Sequence, residues 1–528
     1  MTDYEIYKSI KMKPISDICD MLSIDSENYD CYGKYQAKID IPYKDNNSKL
    51  ILVTSTNPTP YGEGKTTISI GICDVLNKNG YKSILALREP SLGPVFGIKG
   101  GACGGGYSQI VPMDNINLHF TGDFHAITAA NNLISAVIDN HIFQGNELDI
   151  KEVYFERCLD VNDRALRNVV LSNGRNDKFS ITAACEIMAV FCLASSFSDL
   201  RKRIGDIIVG VNSKGDEIYV SDLGVTGAVL ALLKDAFKPN LVQTLYHNPA
   251  VVHGGPFANI AHGCNSVVAL KTCMSLGDYV ITEAGFGSDM GGVKFFDIMC
   301  KSSGIYPDMV VVNSTIRSLK YNGNDDLKEG IKNLEYHILN MKKFNDNVLV
   351  IINRFNDDSD DDINFVRNFC HDLGVKSVVS DMYTKGEDGN KEIADLIVNM
   401  CKNSSKKVYS IYEDSDDIFV KIDKLCKDIY CAGEVKYLPG VKEKLEKWGK
   451  LYPDFSICVS KTQYSISDDP KKLGFPKGHT MTVSGVKLNH GAKFITLLMG
   501  GALTMPGLGK KSNYLNIDVV DDSIVGLF

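Results

Sequence analysis

Residues 50–78 constrain the possible folds of this 528-residue chain more than any other segment. A β-branched, apolar run from Leu50 to Thr56 is followed by a glycine-rich turn and then by a helical pattern over Thr66 to Lys78. Asn79-Gly80 is a typical helix end. A short strand joined to a helix through glycines is the setting in which phosphate-binding loops fold. The segment therefore predicts a strand–loop–helix unit of an α/β sheet.

The turn carries the residue types that hold a phosphate group. It reads Thr59-Pro60-Tyr61-Gly62-Glu63-Gly64-Lys65-Thr66-Thr67. Its glycines allow the backbone to approach phosphate oxygens, and the helix that follows adds the dipole of its N-terminus. Lys65 supplies a positive charge and Thr66 a hydroxyl for Mg²⁺. The usual pattern begins with glycine six residues before the lysine, and Thr59 occupies that place here. A glycine-rich turn that binds no ligand is the alternative.

Short apolar runs recur along the chain between helical patterns. Further examples are Ser83 to Leu87, Asp308 to Val312 and Val348 to Ile352. Such runs are typical of strands buried on both faces of a parallel sheet with helical crossovers. We therefore predict an α/β fold with a doubly wound, mostly parallel sheet as its core, together with two further α/β domains.

The pattern changes after Gly106. Ile181 to Leu193 reads as a long apolar helix, Leu200 to Gly205 leads into a strand over Asp206 to Val211, and Glu217 to Val225 is expected to return the chain to the first sheet. These patterns predict three domains. The phosphate-loop domain is discontinuous, over 1–101 and 222–335, the inserted domain covers 102–221, and the third domain covers 336–528.

An acidic run within Asn356 to Asn364 directly follows a predicted strand. Carboxylates are favoured in the first turn of a helix by the helix dipole, so the run predicts a helix N-terminus. Ligand binding is the alternative interpretation of these acidic residues.

Composition and charge exclude several classes of function. Hydrophobic residues make up 44% and charged residues 23% of the chain, as in ordinary globular proteins. The net charge is −8 and no long basic run is present, which argues against nucleic acid as a partner. The 15 cysteines include no CxxC pair, and residues 1–21 lack the apolar core of a signal peptide. We expect a cytoplasmic protein with reduced thiols and no membrane anchor.

Four segments outside the phosphate loop also carry candidate site residues. Arg88 ends the second predicted strand, where open α/β sheets bind ligands, and a guanidinium suits carboxylate or phosphoryl oxygens; a structural ion pair is the alternative. Six glycines within 97–106 indicate close backbone approach or motion, or otherwise a flexible linker. Histidines and an aspartate in 117–127 and 253–263 have spacings that allow metal ligation, although each histidine alone is more often a structural residue.

Longer motifs link the chain to a known family. The stretches LREPSLGPVFGIKGGACGGGYSQIVPM, HFTGDFHAITAANN and VHGGPFANIAHGCNS closely resemble formate–tetrahydrofolate ligase. The resemblance continues in ITEAGFGSDMGGVKFFDI, KTQYSISDDP and TMPGLGKKSNYLNID and covers nearly the whole chain, from Tyr4 to Phe528.

The resemblance implies an ATP-dependent ligase of the monofunctional form. Formate attacks the γ-phosphate of MgATP to give formyl phosphate, and N10 of tetrahydrofolate then takes the formyl group and releases phosphate. The family also implies three domains around a doubly wound core, a homotetramer, and activation by a monovalent cation such as K⁺ or NH₄⁺.

The resemblance also implies roles for individual residues. Lys65, Arg88 and Asp123 are the expected catalytic residues, with Asp123 near the folate and formyl site. ATP contacts are expected from Thr59, Pro60, Gly62, Glu63, Gly64, Lys65, Thr66 and Thr67, and a Mg²⁺ contact from Thr66. A loop around formyl phosphate is expected to comprise Glu89, Lys99, Gly100, Gly101 and Tyr107. The pterin ring is expected between Phe355 and Tyr383, where Tyr383 stands in place of the family's usual tryptophan.

Two other functions fit parts of the sequence. A P-loop ATPase of the deviant-loop class explains the phosphate loop, but it does not explain the motifs on the folate side. A divergent binder of folate or nucleotide without catalysis is a second alternative, and the presence of Lys65, Arg88 and the glycine loop argues against it.

Overall fold

The computed structural model describes residues 1–60, 62–97, 101–404, 409–521 and 523–527. Its main feature is a large mixed sheet, whose strands we number in chain order. They are β1 (Tyr29–Cys31), β2 (Ala37–Ile39), β3 (Lys49–Ser55), β4 (Ser83–Leu87), β5 (Gly104–Gly105), β6 (Ser108–Val111), β7 (Asn240–Thr244), β8 (Pro249–Val252), β9 (Tyr279–Glu283), β10 (Met309–Ser314), β11 (Val348–Asn353) and β12 (Lys376–Ser380).

The α-helices are also numbered in chain order. They are α1 (Asp3–Ser9), α2 (Ile15–Met21), α3 (Lys65–Lys78), α4 (Leu92–Phe96), α5 (Met113–Asn117), α6 (Asp123–Phe143), α7 (Glu186–Leu193), α8 (Phe197–Gly205), α9 (Thr226–Leu233), α10 (Val267–Leu276), α11 (Lys301–Ser303), α12 (Ile316–Asn322), α13 (Leu327–Lys342), α14 (Asp360–Asp372), α15 (Met382–Lys385), α16 (Lys391–Lys402), α17 (Ile418–Lys424) and α18 (Val441–Leu451). None of the helices in the described ranges is long and apolar enough to cross a membrane.

The main sheet has a parallel centre and an antiparallel edge. Its strand order is β1-β2-β7-β8-β4-β9-β3-β10-β11-β12, and every pairing from β8 to β12 is parallel. The pairings of β1 with β2, β2 with β7 and β7 with β8 are antiparallel. The predicted fold class, an α/β fold with a mostly parallel central sheet, is confirmed.

Strand β3 shows why its sequence lacks an alternating polar pattern. Leu50 and Leu52 pack into the hydrophobic core on one face of the sheet, and Ile51 and Val53 pack into the core on the other face. Successive side chains of a strand point to opposite faces, so a strand covered on both sides is apolar throughout. The strands predicted at 50–56, 83–87, 308–312 and 348–352 are confirmed, with bounds that differ by at most two residues.

Residues 124–237 contribute most of a separate hydrophobic core around α6 and α7. The small sheets here comprise Ile150–Val153 with Ile208–Asn212 and Glu217–Tyr219, the parallel pair Arg157–Leu159 and Phe179–Ile181, and the hairpin Val169–Val170 with Asn176–Asp177. The expected long helix at 181–193 is wrong in its first turn. Ile181 ends a strand and Thr182–Ala184 is a 3₁₀ turn, so the helix begins only at Glu186.

The expected return to the first sheet at 217–225 is also wrong. Glu217–Tyr219 pairs antiparallel with Ile208–Asn212 in the small sheet, because a short hairpin joins the two strands locally. The chain rejoins the main sheet only at β7, after α9.

The C-terminal region builds a four-stranded sheet in the order Glu434–Tyr437, Thr480–Asn489, Phe494–Met499 and Ser456–Ser460. A hairpin of Asp518–Val520 and Ser523–Val525 follows. Strands β11 and β12 belong to the main sheet, so the boundary predicted between 335 and 336 falls between two strands of one sheet.

The acidic run at 360–362 forms the first turn of α14, which is capped by the Ser359 side chain. The predicted helix N-terminus is therefore confirmed.

Candidate active site

The phosphate loop lies at the carboxyl edge of the parallel strands. The β3–β9 register pairs Val53 with Glu283, and the β3–β10 register pairs Ser55 with Asn313. Gly64 precedes α3 with a φ of 67°, a conformation that favours glycine. A Cβ at this position would lie 2.5 Å from Asn353 Nδ2 at the end of β11, so the loop and β11 approach each other too closely for a larger residue.

Glu63 stabilises the shape of the loop from within. Its Oε1 accepts hydrogen bonds from the backbone N–H of Thr59 at 3.0 Å and from the Thr59 hydroxyl at 2.7 Å. Its Oε2 accepts from the Thr315 hydroxyl at 2.7 Å. The side chain is buried. These contacts show that the Glu63 side chain shapes the loop.

Four polar side chains meet where α3 begins. The Thr66 hydroxyl donates to Glu283 Oε2 at 2.9 Å, and Arg88 Nη2 lies 3.8 Å from Glu283 Oε1. Lys65 Nζ donates to the carbonyl of Phe286 at 3.2 Å. Strands β4 and β9 are neighbours, which places Arg88 and Glu283 side by side at their ends. Two cations, a hydroxyl and a carboxylate are the groups that a Mg²⁺–triphosphate requires.

The environment of Lys65 lowers the pKa of its ammonium group. Burial lowers it to about 8, although the nearby carboxylate of Glu283 raises it and Arg88 lowers it further. A lysine with such a pKa is charged at neutral pH and becomes neutral as the pH rises through about 8.

Arg88 is enclosed by the loop that follows β8. Its Nη1 donates to the carbonyl of Pro256 at 3.1 Å, and a Cβ on Gly285 would lie 2.9 Å from the same Nη1. Its Nε is buried without a hydrogen-bond partner among the residues that the structure describes. The guanidinium therefore keeps a donor available for a small ligand such as a carboxylate.

His262 lies in the same loop and is fully buried. Neither of its ring nitrogens has a hydrogen-bond partner in the described part of the chain. Burial, together with the positive charges of Lys294 and Arg88, lowers the pKa of His262 to about 3, so its ring is neutral. His253 differs, because its two nitrogens bond to the Ser266 hydroxyl at 2.6 Å and to the Ala236 carbonyl at 2.8 Å.

A buried charge cluster lies behind Arg88. Asp123 Oδ1 accepts from Lys38 Nζ at 2.5 Å, and its Oδ2 accepts from Asn240 Nδ2 at 2.7 Å. Both side chains of the Lys38–Asp123 pair are 1% exposed. Burial, reinforced by Asp123, raises the pKa of Glu89 well above its usual range. Both carboxylate oxygens of Asp123 are thus already engaged within the protein.

The glycine-rich segment folds into a tight hairpin where the structure describes it. Gly104–Gly105 pairs with Ser108–Val111, and a Cβ on Gly106 would lie 2.0 Å from the carbonyl oxygen of Tyr383. Tyr107 N–H donates to that same carbonyl at 2.8 Å. The Tyr383 hydroxyl donates to Asp3 Oδ1 at 2.9 Å, and its ring remains 41% exposed. The hairpin, α1 and Tyr383 therefore form one packed unit.

Phe355 follows the end of β11 and is half-buried. Its backbone N–H donates to Asp358 Oδ2 at 2.8 Å. The guanidinium of Arg317 lies over its ring, with the central carbon 3.7 Å from the ring centroid.

Comparison with known proteins decides the family. The sequence model of the family described as "Formate--tetrahydrofolate ligase" matches residues 1–528. A protein of that name from Campylobacter concisus (strain 13826) is 52% identical over 98% of this chain and 98% of its own length. Another, from Campylobacter curvus (strain 525.92), is 51% identical over the full length of both chains. The chain belongs to the formate–tetrahydrofolate ligase family.

Several of the residues that the sequence predicts for the ligase site lie together in the structure. The structure brings Lys65, Thr66 and Arg88 into one cluster with Glu283. It places Glu89 and Asp123 together in the buried cluster, and Gly101 and Tyr107 in the segment that packs on Tyr383 and Asn117. Lys99 and Gly100 lie outside the described residues, as does Tyr61 of the phosphate loop.

Sequence reasoning missed two residues of the site. Glu283 lies in the family motif ITEAGFGSDMGGVKFFDI without a predicted role, and the signal that identifies it is an acidic residue that ends an apolar strand next to a phosphate loop. His262, like each histidine of its segment taken alone, is predicted from the sequence to be structural, and only its lack of partners among the described residues distinguishes it from His253.

Proposed function

We propose that this chain joins formate to tetrahydrofolate at the cluster of Lys65, Thr66, Arg88 and Glu283, using MgATP and passing through formyl phosphate. The observation that carries the proposal is the meeting of a phosphate-loop lysine, a hydroxyl–carboxylate pair and a half-buried guanidinium at one edge of the sheet. Membership of the formate–tetrahydrofolate ligase family identifies formate and tetrahydrofolate as the substrates to be joined.

In the first step a formate oxygen attacks the γ-phosphorus, the bond from that phosphorus to the bridging oxygen of ADP breaks, and formyl phosphate forms. Such transfer depends on positioning and on neutralising charge. Lys65 faces the triphosphate as a preorganised charge. The Nε of Arg88 lacks a partner among the described groups and suits a carboxylate oxygen of formate.

Thr66 and Glu283 are the residues that would hold Mg²⁺. A hydroxyl oxygen and a carboxylate oxygen lie 2.9 Å apart and can turn to one ion. Mg²⁺ prefers oxygen ligands and usually keeps phosphate oxygens and water in its remaining positions. When bound, the ion supplies charge neutralisation for the phosphoryl group.

In the second step N10 of tetrahydrofolate attacks the formyl carbon, the carbon–oxygen bond to phosphate breaks, and the released phosphate takes up the proton that N10 loses. We propose that the pterin ring lies between Phe355 and Tyr383. Tyr383 is half-exposed and packs on the glycine hairpin, and Phe355 is half-buried next to the phosphate loop.

The expected role of Asp123 as an acceptor of the N10 proton receives little support from its contacts. Both of its oxygens accept hydrogen bonds from Lys38 and Asn240, and the side chain is buried. We propose instead that Asp123 keeps Lys38 in place next to the raised-pKa carboxyl of Glu89.

A substrate-omission assay tests the function. We expect ADP release and formylated folate only when ATP, formate and tetrahydrofolate are all present. ADP release at the same rate without formate would instead support a P-loop ATPase. Lys65→Ala in parallel shows whether the activity belongs to this site.

We also propose a cytoplasmic homotetramer activated by a monovalent cation such as K⁺ or NH₄⁺. The family resemblance is the support for these three properties. Sedimentation of the purified protein measures the subunit number, and activity in potassium, ammonium and tetramethylammonium salts at constant ionic strength measures the cation requirement. Equal activity in all three salts would exclude cation activation.

A further inference from the structure

Helix α12 joins the phosphate loop to the proposed pterin site. Thr315 at its N-terminus donates to Glu63 at 2.7 Å, and Arg317 in its first turn donates from Nη2 to the carbonyl of Gly62 at 2.5 Å. The end of β11 adds a third contact, from Asn353 Nδ2 to the carbonyl of Glu63 at 3.2 Å. The phosphate loop is therefore fixed by the two elements that flank Phe355.

The same arginine lies over Phe355. Its guanidinium carbon is 3.7 Å from the ring centroid, which is the stacking distance of a cation–π pair. One turn later in α12, Lys320 pairs with Asp362 at 2.8 Å, so α12 also contacts the segment beyond Phe355. Arg317 covers one face of the ring, and a pterin can stack only on the other face.

We infer that Arg317 is a positioning residue for tetrahydrofolate: it holds Phe355 in the orientation that stacks on the pterin and ties that ring to the phosphate loop through Gly62. This inference rests on the proposed pterin site at Phe355. Lysine is a poor replacement for arginine here, because an ammonium group has no flat face to stack on the ring while it also donates to the Gly62 carbonyl.

The test measures equilibrium binding of tetrahydrofolate and of MgATP to the full-length protein by calorimetry. Arg317→Lys keeps the charge and removes the flat face, and Arg317→Met removes both. We expect Arg317→Lys to weaken tetrahydrofolate binding by up to roughly 30-fold, the upper range of one cation–π contact, and to affect MgATP binding less than tetrahydrofolate binding. Arg317→Met is expected to weaken the binding of both ligands. Arg367→Lys, at an exposed position of α14, is the matched control and is expected to bind both like the parent.

A double-mutant cycle with Phe355→Leu separates the possible outcomes. If Arg317 acts through the ring, Arg317→Lys has little further effect on tetrahydrofolate binding once Phe355 is leucine. The same fold-change in both backgrounds would overturn the inference while leaving the pterin site intact. If Phe355→Leu alone leaves tetrahydrofolate binding unchanged, both the pterin site and the inference fail. Thermal unfolding of each variant establishes that it is folded. If Arg317→Met does not fold, the binding measurements on Arg317→Lys are sufficient for the test.

Discussion

Replacing Glu283 with glutamine tests the metal and phosphate site most directly. The change preserves the shape of the side chain but removes the charge that accepts from the Thr66 hydroxyl at 2.9 Å and faces Arg88 at 3.8 Å. A hydrogen bond to a charged group contributes about 1.5–3 kcal/mol. Loss of that contribution corresponds to about 10- to 150-fold weaker binding. We expect the affinity for MgATP to fall by this factor.

The pH dependence of MgATP binding is a second test of the role of Glu283. The Glu283 carboxylate raises the pKa of Lys65, which burial lowers to about 8. In the proposed site the triphosphate binds the charged form of Lys65, so we expect the affinity of the parent protein to fall as the pH rises through about 8. Without the carboxylate the pKa of Lys65 drops further, and the fall in affinity moves to lower pH.

Calorimetric titration of MgATP on both sides of that pKa measures both effects. Asp278→Asn is the matched control, because it removes one exposed carboxylate immediately before the same strand, at its opposite end. Parent-like affinity in Glu283→Gln, or an unchanged pH profile, would show that Glu283 does not face the triphosphate. A similar loss in Asp278→Asn would point to net charge rather than to the site.

Three further outcomes follow from the site. Lys65→Ala removes a preorganised charge aimed at the transferring phosphoryl group, so turnover should fall roughly 10²- to 10³-fold; near-normal turnover in a folded variant would exclude that role. Bound ATP should show formate-dependent positional isotope exchange in the absence of folate, whereas no exchange under rapid mixing would favour a concerted transfer. Tyr383→Ala should raise the Michaelis constant for tetrahydrofolate by about one to two decades, because stacking on an aromatic ring is worth about 1–3 kcal/mol. Tyr383→Trp adds ring area, so it should tighten folate binding or leave it equal, and Tyr383→Phe is the control that removes only the bond to Asp3. Equal effects of Tyr383→Ala on ATP and folate would make this loop structural.

The sequence alone was sufficient for the features that depend on neighbouring residues. The strand before the phosphate loop, the helix after it and the capped first turn at 360–362 are local patterns of burial and capping. The alternation of Leu50, Ile51, Leu52 and Val53 between two cores required only that both faces of the strand be covered.

Only the tertiary structure decided which distant residues meet. Glu283 reaches Thr66 across 217 positions of the chain, and Asp3 reaches Tyr383 across 380. The stretch 217–225 is expected from the sequence to return the chain to the first sheet, but its strand Glu217–Tyr219 pairs with the neighbouring hairpin strand instead. Strand patterns encode which face is buried but not which strand lies alongside. The choice of partner depends on packing that forms only when the whole sheet assembles.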